Sequence, residues 1–243
     1  YYQSSSTIDI SKPTRYGLSD TFSLRISNNI TNHSQQSLSG RLKFGIRNSD
    51  GTYAPIGSGY SPFNLYGMEP DGSFYVNSAS LLVDYAFPIG KTTIYALYST
   101  DNGYTWRPCA YKGMRPYVVE ATETTLSLVP TMLTTNVTTD EGLTSGVSAT
   151  FNVSVTNGGD DEFIGSLNVF TNAASTRPAE PTTSIYVSVP AHQTIIRKVE
   201  LTPSGKQFYL WVTDDRNVTL TNAQSFTLGT STEPVLSIVR ACS

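Results

Sequence analysis

What most constrains this chain is that part of it is written twice. Phe22-Ser23-Leu24-Arg25-Ile26-Ser27-Asn28, a polar loop and Gly40-Arg41-Leu42-Lys43-Phe44 return as Phe151-Asn152-Val153-Ser154-Val155-Thr156-Asn157, an acidic turn and Gly165-Ser166-Leu167-Asn168-Val169. Tyr95 to Asp101 likewise lies over Tyr209 to Asp215, each a strand running into an acidic turn. Apolar residues recur every second position in both copies, the period of strands and not of helices. The expected fold is therefore all-β: two tandem immunoglobulin-like or fibronectin-like β-sandwiches, at 1–122 and 123–230, with 231–243 an extra strand or the start of a further module. A length of 243 residues suits two such domains of roughly 100 residues each.

Charge excludes some functions. A formal net charge of -3, with no run of Lys or Arg, offers no track for displacing the counterions of nucleic acid. The longest apolar run, Ser80 to Ala86, contains Asp84 and falls far short of the roughly 20 residues that cross a bilayer. The start at Tyr1-Tyr2 suggests a mature or excised fragment.

In the first module strands are expected at 7–10, 21–27, 40–47, 52–56, 74–84, 92–99 and 117–121. Asp50-Gly51, Asp71-Gly72 and Asn102-Gly103 read as hairpin turns, because glycine accepts the positive φ those turns require. The second module reads as strands at 124–129, 148–156, 163–170, 183–189, 194–201, 207–212 and 225–228. The bridge over 120–124 has neither Gly nor Pro, which predicts one continuous extended strand and a stiff pair.

Catalysis has little to stand on. The nucleophile and base candidates are Cys109 with His33 or His192, and no helix is available to lower the thiol pKa. The reading is no catalytic residue and no enzyme. Cys109 and Cys242 could pair only if the tail folded back across a module; the alternative is a free thiol at each. The two cysteines and two histidines show no zinc-ligand spacing.

Two clusters are candidate sites. The B–C and F–G loops of a sandwich emerge at one end, so Asp160, Asp161 and Glu162 should neighbour Asp214 and Asp215 at the junction with the preceding module. Five carboxylates there could hold Ca²⁺; as plain turn residues they would cap backbone N–H groups instead. The second cluster is aromatic: Tyr53, Tyr60, Phe63, Tyr66, Phe74 and Tyr75, joined by Trp106. Such rings stack on sugars or anchor a protein partner when exposed, and cover a sandwich edge when not. Trp211, mid-strand, is expected in the second core. Sequons start at Asn29, Asn32, Asn136, Asn152 and Asn217.

Phe22 to Asn28, Gly40 to Phe44 with the Asp50-Gly51 turn, and Thr92 to Trp106 resemble the Ig-like repeats of secreted Bacteroidetes proteins. They are similar in particular to the modules that follow the catalytic domain of streptopain-like cysteine peptidases. The resemblance implies a secreted or cell-surface location and an accessory role beside a peptidase or adhesive domain; rigid tandem sandwiches with exposed loops read, on their own, as spacer and interaction surface. Its partner would be another protein or an adjacent domain of the same polypeptide, with glycan as an alternative ligand. It transfers no catalytic residue, because the family's Cys and His belong to a domain outside this chain. The second copy departs from the pattern, with Thr213-Asp214-Asp215-Arg216-Asn217 and no tryptophan after it.

Overall fold

The computed structural model describes residues 2–10, 22–110, 113–123 and 125–229. The expected strand over 231–243, with Cys242, lies outside the described residues, as does Tyr1. All regular structure among the described residues is extended, and no described segment is helical.

The first sandwich contains β1 (Tyr2–Ile10), β2 (Phe22–Thr31), β3 (Leu38–Arg47), β4 (Tyr53–Pro55), β5 (Ser61–Leu65), β6 (Val76–Tyr85), β7 (Gly90–Ser99), β8 (Arg107–Pro108), β9 (Tyr117–Ala121) and β10 (Leu126–Val129). One sheet runs β1-β2-β6; the other runs β10-β9-β7-β3-β4, with β5 also on β3 and β8 on β7. The second sandwich contains β11 (Leu133–Thr138), β12 (Ala149–Asn157), β13 (Phe163–Asn172), β14 (Thr183–Val189), β15 (Thr194–Leu201), β16 (Gln207–Thr213) and β17 (Thr219–Thr227). Its sheets run β11-β12-β15 and β14-β13-β16-β17, the same arrangement as in the first, and every pairing between its strands is antiparallel.

Alternation explains the packing. Along β12, Ala149, Phe151, Val153 and Val155 are buried while the residues between them are partly exposed. They meet Leu167, Val169, Phe208, Leu210 and Val212 from the facing sheet. Each such side chain contributes about 1.5–3 kcal/mol when fully buried. The first sandwich has its own cluster, in which Phe44, Phe63, Phe87, Ile94, Tyr117 and Leu126 are buried together. No residue belongs to both clusters.

Several expectations are corrected. The segment 124–129 does not open the second module: β10 pairs back on β9, and Leu126 is buried in the first core. The bridge is accordingly a turn, closed by Thr122 N donating to Thr125 O at 2.9 Å, and the chain passes between modules through Pro130 to Met132. Asp71-Gly72 forms a turn, but the strands around it, β5 and β6, lie in opposite sheets, so it is no hairpin. β5 itself falls where an aromatic loop was expected. Trp211 is buried as expected, but on the outer face of β16 across from Phe170 and not in the cluster between the two sheets.

The repeat is also four residues out of register in its first segment. Asn32 Nδ2 donates to Gln36 O at 2.7 Å and to Leu65 O at 3.5 Å, while its Oδ1 accepts Ser34 N at 3.0 Å. Asn157 repeats each contact, with Asp161 O at 2.8 Å, Val189 O at 3.0 Å and Gly159 N at 2.9 Å. Leu38 opposite Leu65 and Phe163 opposite Val189 are likewise equivalent. Phe151 therefore corresponds to Ile26 and not to Phe22. An even slip keeps every residue on its own face of the sheet, which is why the text matches in either register.

Candidate functional site

The loops that follow β12 and β16 in the second sandwich meet the first sandwich at a joint built by three arginines. Arg115, just ahead of β9, is buried and reaches into the second module. Its Nη2 donates to Ile164 O at 2.6 Å and Asp215 Oδ2 at 2.9 Å, and its guanidinium lies 4.3 Å from the Phe163 ring centroid. Arg216 runs the other way. From the β16–β17 turn it donates Nη2 to Arg115 O at 2.7 Å and Nη1 to Pro130 O at 3.1 Å, and it stands 4.9 Å over Tyr117. Each module thus lends a guanidinium to the other. Such planar, forked donors suit buried sites because they satisfy several acceptors at once.

The third contact lies nearer solvent. Arg47, at the end of β3, donates to Asp161 Oδ1 at 2.5 Å, and Tyr95 OH donates to the other oxygen of the same carboxylate at 2.9 Å. Burial works against the Arg47 charge, but the hydrogen bonds to Asp161 and Tyr53 overcome it and hold its pKa above the ordinary value. The Tyr95 phenol is raised by burial and then by its bond to Asp161. Asp214 is buried beneath the turn; burial raises its pKa, opposed by the N–H of Val218 and the charge of Arg216. Burial lowers that of Arg216. A partly open cavity of about 30 Å³ is bordered by Met114, Pro130, Met132, Phe163 and Arg216, and a cleft of about 210 Å³ lined by Lys91, Thr93, Pro116, Val118, Met132 and Asp160 lies beside it. The first has room for about one water molecule, so the arginine contacts fill the joint instead of lining a cavity.

The five carboxylates read as a calcium candidate go to separate partners. Asp161 takes Arg47 and Tyr95; Asp215 takes Arg115; Asp214 accepts Arg216 N and Val218 N at 2.9 Å each. Asp160 bonds His192 at 2.7 Å, and Glu162 accepts Ser188 Oγ at 2.6 Å. Among the described residues they form no group of three that could hold a metal ion. The counter-charge at the joint is guanidinium, which the sequence reading missed. Its signal was Arg216 lying inside the acidic turn itself.

The aromatic candidates separate as well. Phe63 is a core residue, with 4% of its surface exposed. Tyr53 belongs to the joint, 5.4 Å from Tyr95 and hydrogen-bonded to Arg47. Trp106 is half-buried and locks its own turn by donating Nε1 to Gly103 O at 3.0 Å. Exposed rings remain at the opposite end of the first sandwich: Tyr66 at 61%, with Tyr75 5.3 Å from it, and Tyr104 at 88%. Tyr60, exposed nearby, lies 4.4 Å under Arg41. Cys109 is buried in the first core, and burial pushes its thiol up to about 12. His192 sits in the second module beside Asp160, and His33 bonds Thr31 Oγ1 and meets Phe74.

Strand order and register define the class as tandem Ig-like β-sandwiches. No protein-family model and no curated protein matches the sequence. Among solved structures it is distantly similar to red sea bream transglutaminase, at 12% identity and a TM-score of 0.31, over 92% of this chain and 31% of that one. A DUF3823 family protein from Parabacteroides merdae overlaps 83% of this chain and 98% of its own, at 11% identity and a TM-score of 0.29. The chain spans about a third of the transglutaminase. Overlaps of this size carry no argument about activity.

Proposed function

We propose that this chain is a non-enzymatic pair of Ig-like modules in a secreted or cell-surface protein, acting as a stiff spacer with an interaction surface at its far end. The reciprocal exchange of Arg115 and Arg216 is the observation that carries this reading. A flexible tether would leave those side chains in water, whereas here each is buried in contacts from the other module. Residual dipolar couplings test it: both sandwiches should fit a single alignment tensor. Two independent tensors in the unmodified chain would end the spacer reading.

A carbohydrate-binding or adhesin role is the alternative favoured by the exposed rings. Tyr66 and Tyr75 are inclined at 60° to one another, which presents a ridge where a sugar would need a flat stack. Tyr60→Ala with Tyr66→Ala should abolish polysaccharide retention in affinity electrophoresis if that role holds; unchanged retention, or none at the outset, removes it. Docking on an upstream cysteine peptidase domain through 31–38 and 101–104 is a special case of the main reading. It requires the parent gene to encode a protease domain ahead of Tyr1.

A further inference from the structure

The two copies offer the same end of the same fold in two states, one covered and one open. In the second copy the loops after β12 and β16 are covered by the first module, whose Arg115 and Arg47 sit on Phe163, Asp215 and Asp161. In the first copy the equivalent end consists of residues 32–37, 66–75 and 100–106. Its loops are held in place. Asn32 staples the first of them as Asn157 does, Met68 N donates to Ser34 O at 2.7 Å, and a Cβ on Gly67 would fall 2.2 Å from Gln35 O. In the third, Ser99 Oγ and Asp101 collect Gly103 N and Thr105 N at 2.8 and 2.9 Å, fixing the turn that displays Tyr104.

The chemistry of the open end differs from that of the covered one. Gln35, Gln36 and Ser37 stand where Asp160, Asp161 and Glu162 stand in the second copy, so this end lacks the carboxylate, Asp161, that takes Arg47 and Tyr95 of the preceding module. It carries tyrosines on a background of Ser, Gly, Gln and Asn instead, the mixture of rigid rings and adaptable hydrogen bonds found in protein-recognition loops. Glu69, Asp71 and Asp101 lie in these loops, where Glu69 accepts Tyr75 OH and Asp71 accepts Ser73 N; none of the loops contains Lys or Arg, and a guanidinium that reaches them from β3, Arg41, donates to Asn102 O at 3.2 Å. Within the molecule, exposed or half-exposed rings already take guanidinium partners, as Tyr60 does from Arg41 and Tyr53 from Arg47 at 5.6 Å.

Resting on the spacer reading, we infer that the open loop end of the first sandwich is a recognition face for a cationic, arginine-bearing protein segment, bound by Tyr66, Tyr75 and Tyr104 with Glu69 and Asp71 as counter-charge. The experiment pans a random 12-residue peptide display library on the immobilised chain. It then compares the enriched peptides on Tyr66→Ser/Tyr75→Ser/Tyr104→Ser and on Glu69→Gln/Asp71→Asn. Both variants should keep the parent melting midpoint, since the altered groups are exposed and the amide oxygens of the charge variant can still accept from Tyr75 and Ser73. Enriched peptides should carry Arg, bind the ring variant at least 10-fold more weakly, and lose part of their salt dependence on the charge variant. Peptides lacking Arg and Lys, binding indifferent to the ring variant, no enrichment at all, or a neutral-glycan array signal lost with the rings would each overturn the assignment. The spacer reading fails separately, by needing two alignment tensors.

Discussion

At the residue scale, two buried amides hold the fold's loop ends in shape. Asn32 and Asn157 each close a loop and tie it to the end of the neighbouring strand, β5 or β14. Truncation strands several backbone groups at once, so Asn157→Ala should cost about 2 kcal/mol in a denaturant melt. A change below a few tenths would show that water replaces the amide. Asn32 is also the acceptor of a sequon, but its Nδ2 is buried and bonded, so sugar at that position should appear only on misfolded protein. Cys109 should resist iodoacetamide at pH 8 in the native state and react once unfolded, because a thiol pushed up to about 12 supplies almost no thiolate. Rapid native labelling mapped to Cys109 by mass spectrometry would contradict its burial. Asp101 works in the opposite sense. The Thr105 hydroxyl, then Thr105 N, then Ser99 hold its carboxyl at about 2, below the ordinary 3.8. A depressed folded value stabilises above the unfolded one, and that contribution fades as pH falls from 3.8 towards about 2. Thr105→Val should lift the Asp101 midpoint towards 3.8 in a carboxyl NMR titration, and an unmoved midpoint would sever the link.

Strands were legible where alternation was long and regular. β12, β13 and β16 could be read from text because Phe151, Val153 and Val155, Leu167 and Val169, and Phe208, Leu210 and Val212 keep an apolar residue at every second position, even though β13 and β16 also carry Phe170 and Trp211 on the outer face. β5 was not legible, since Pro62 and a ring-rich surrounding mask an alternation in which only Phe63 and Leu65 are buried. β10 was found as a strand but given to the wrong sheet. Its pattern, Leu126 in and Ser127 out, fits either core, and only the Thr122 to Thr125 turn sends it back to β9. This ownership has a direct consequence. Leu126→Ala should cost about 3 kcal/mol, and native-state amide exchange should quicken in β7 and β9 while β12 and β16 stay protected. Faster exchange confined to β12 and β16 would return β10 to the second module.

For the whole molecule, the topology of the joint was foreseeable and its chemistry was not. Loop geometry put the acidic turns beside the preceding module, yet a row of carboxylates in a sequence does not say whether a metal or an arginine answers them. Arg115 gave no local sign, because it lies among Met114, Pro116 and Tyr117 and acquires its meaning only across the joint. Arg115→Ala should cost about 3 kcal/mol, as expected when one member of a buried ion pair is removed. It should also split the single alignment of the two sandwiches. A melt and couplings both unchanged would reduce the arginine exchange to decoration. The mutual loan also bears on how the chain can be cut. A second sandwich started at Leu133 would lose the acceptors of Arg216 and the cation that sits on Phe163. Anyone grafting it elsewhere would do better to move both sandwiches together, because the stretch that supplies those groups, Arg115 to Pro130, includes β9 and β10 and is anchored in the first core.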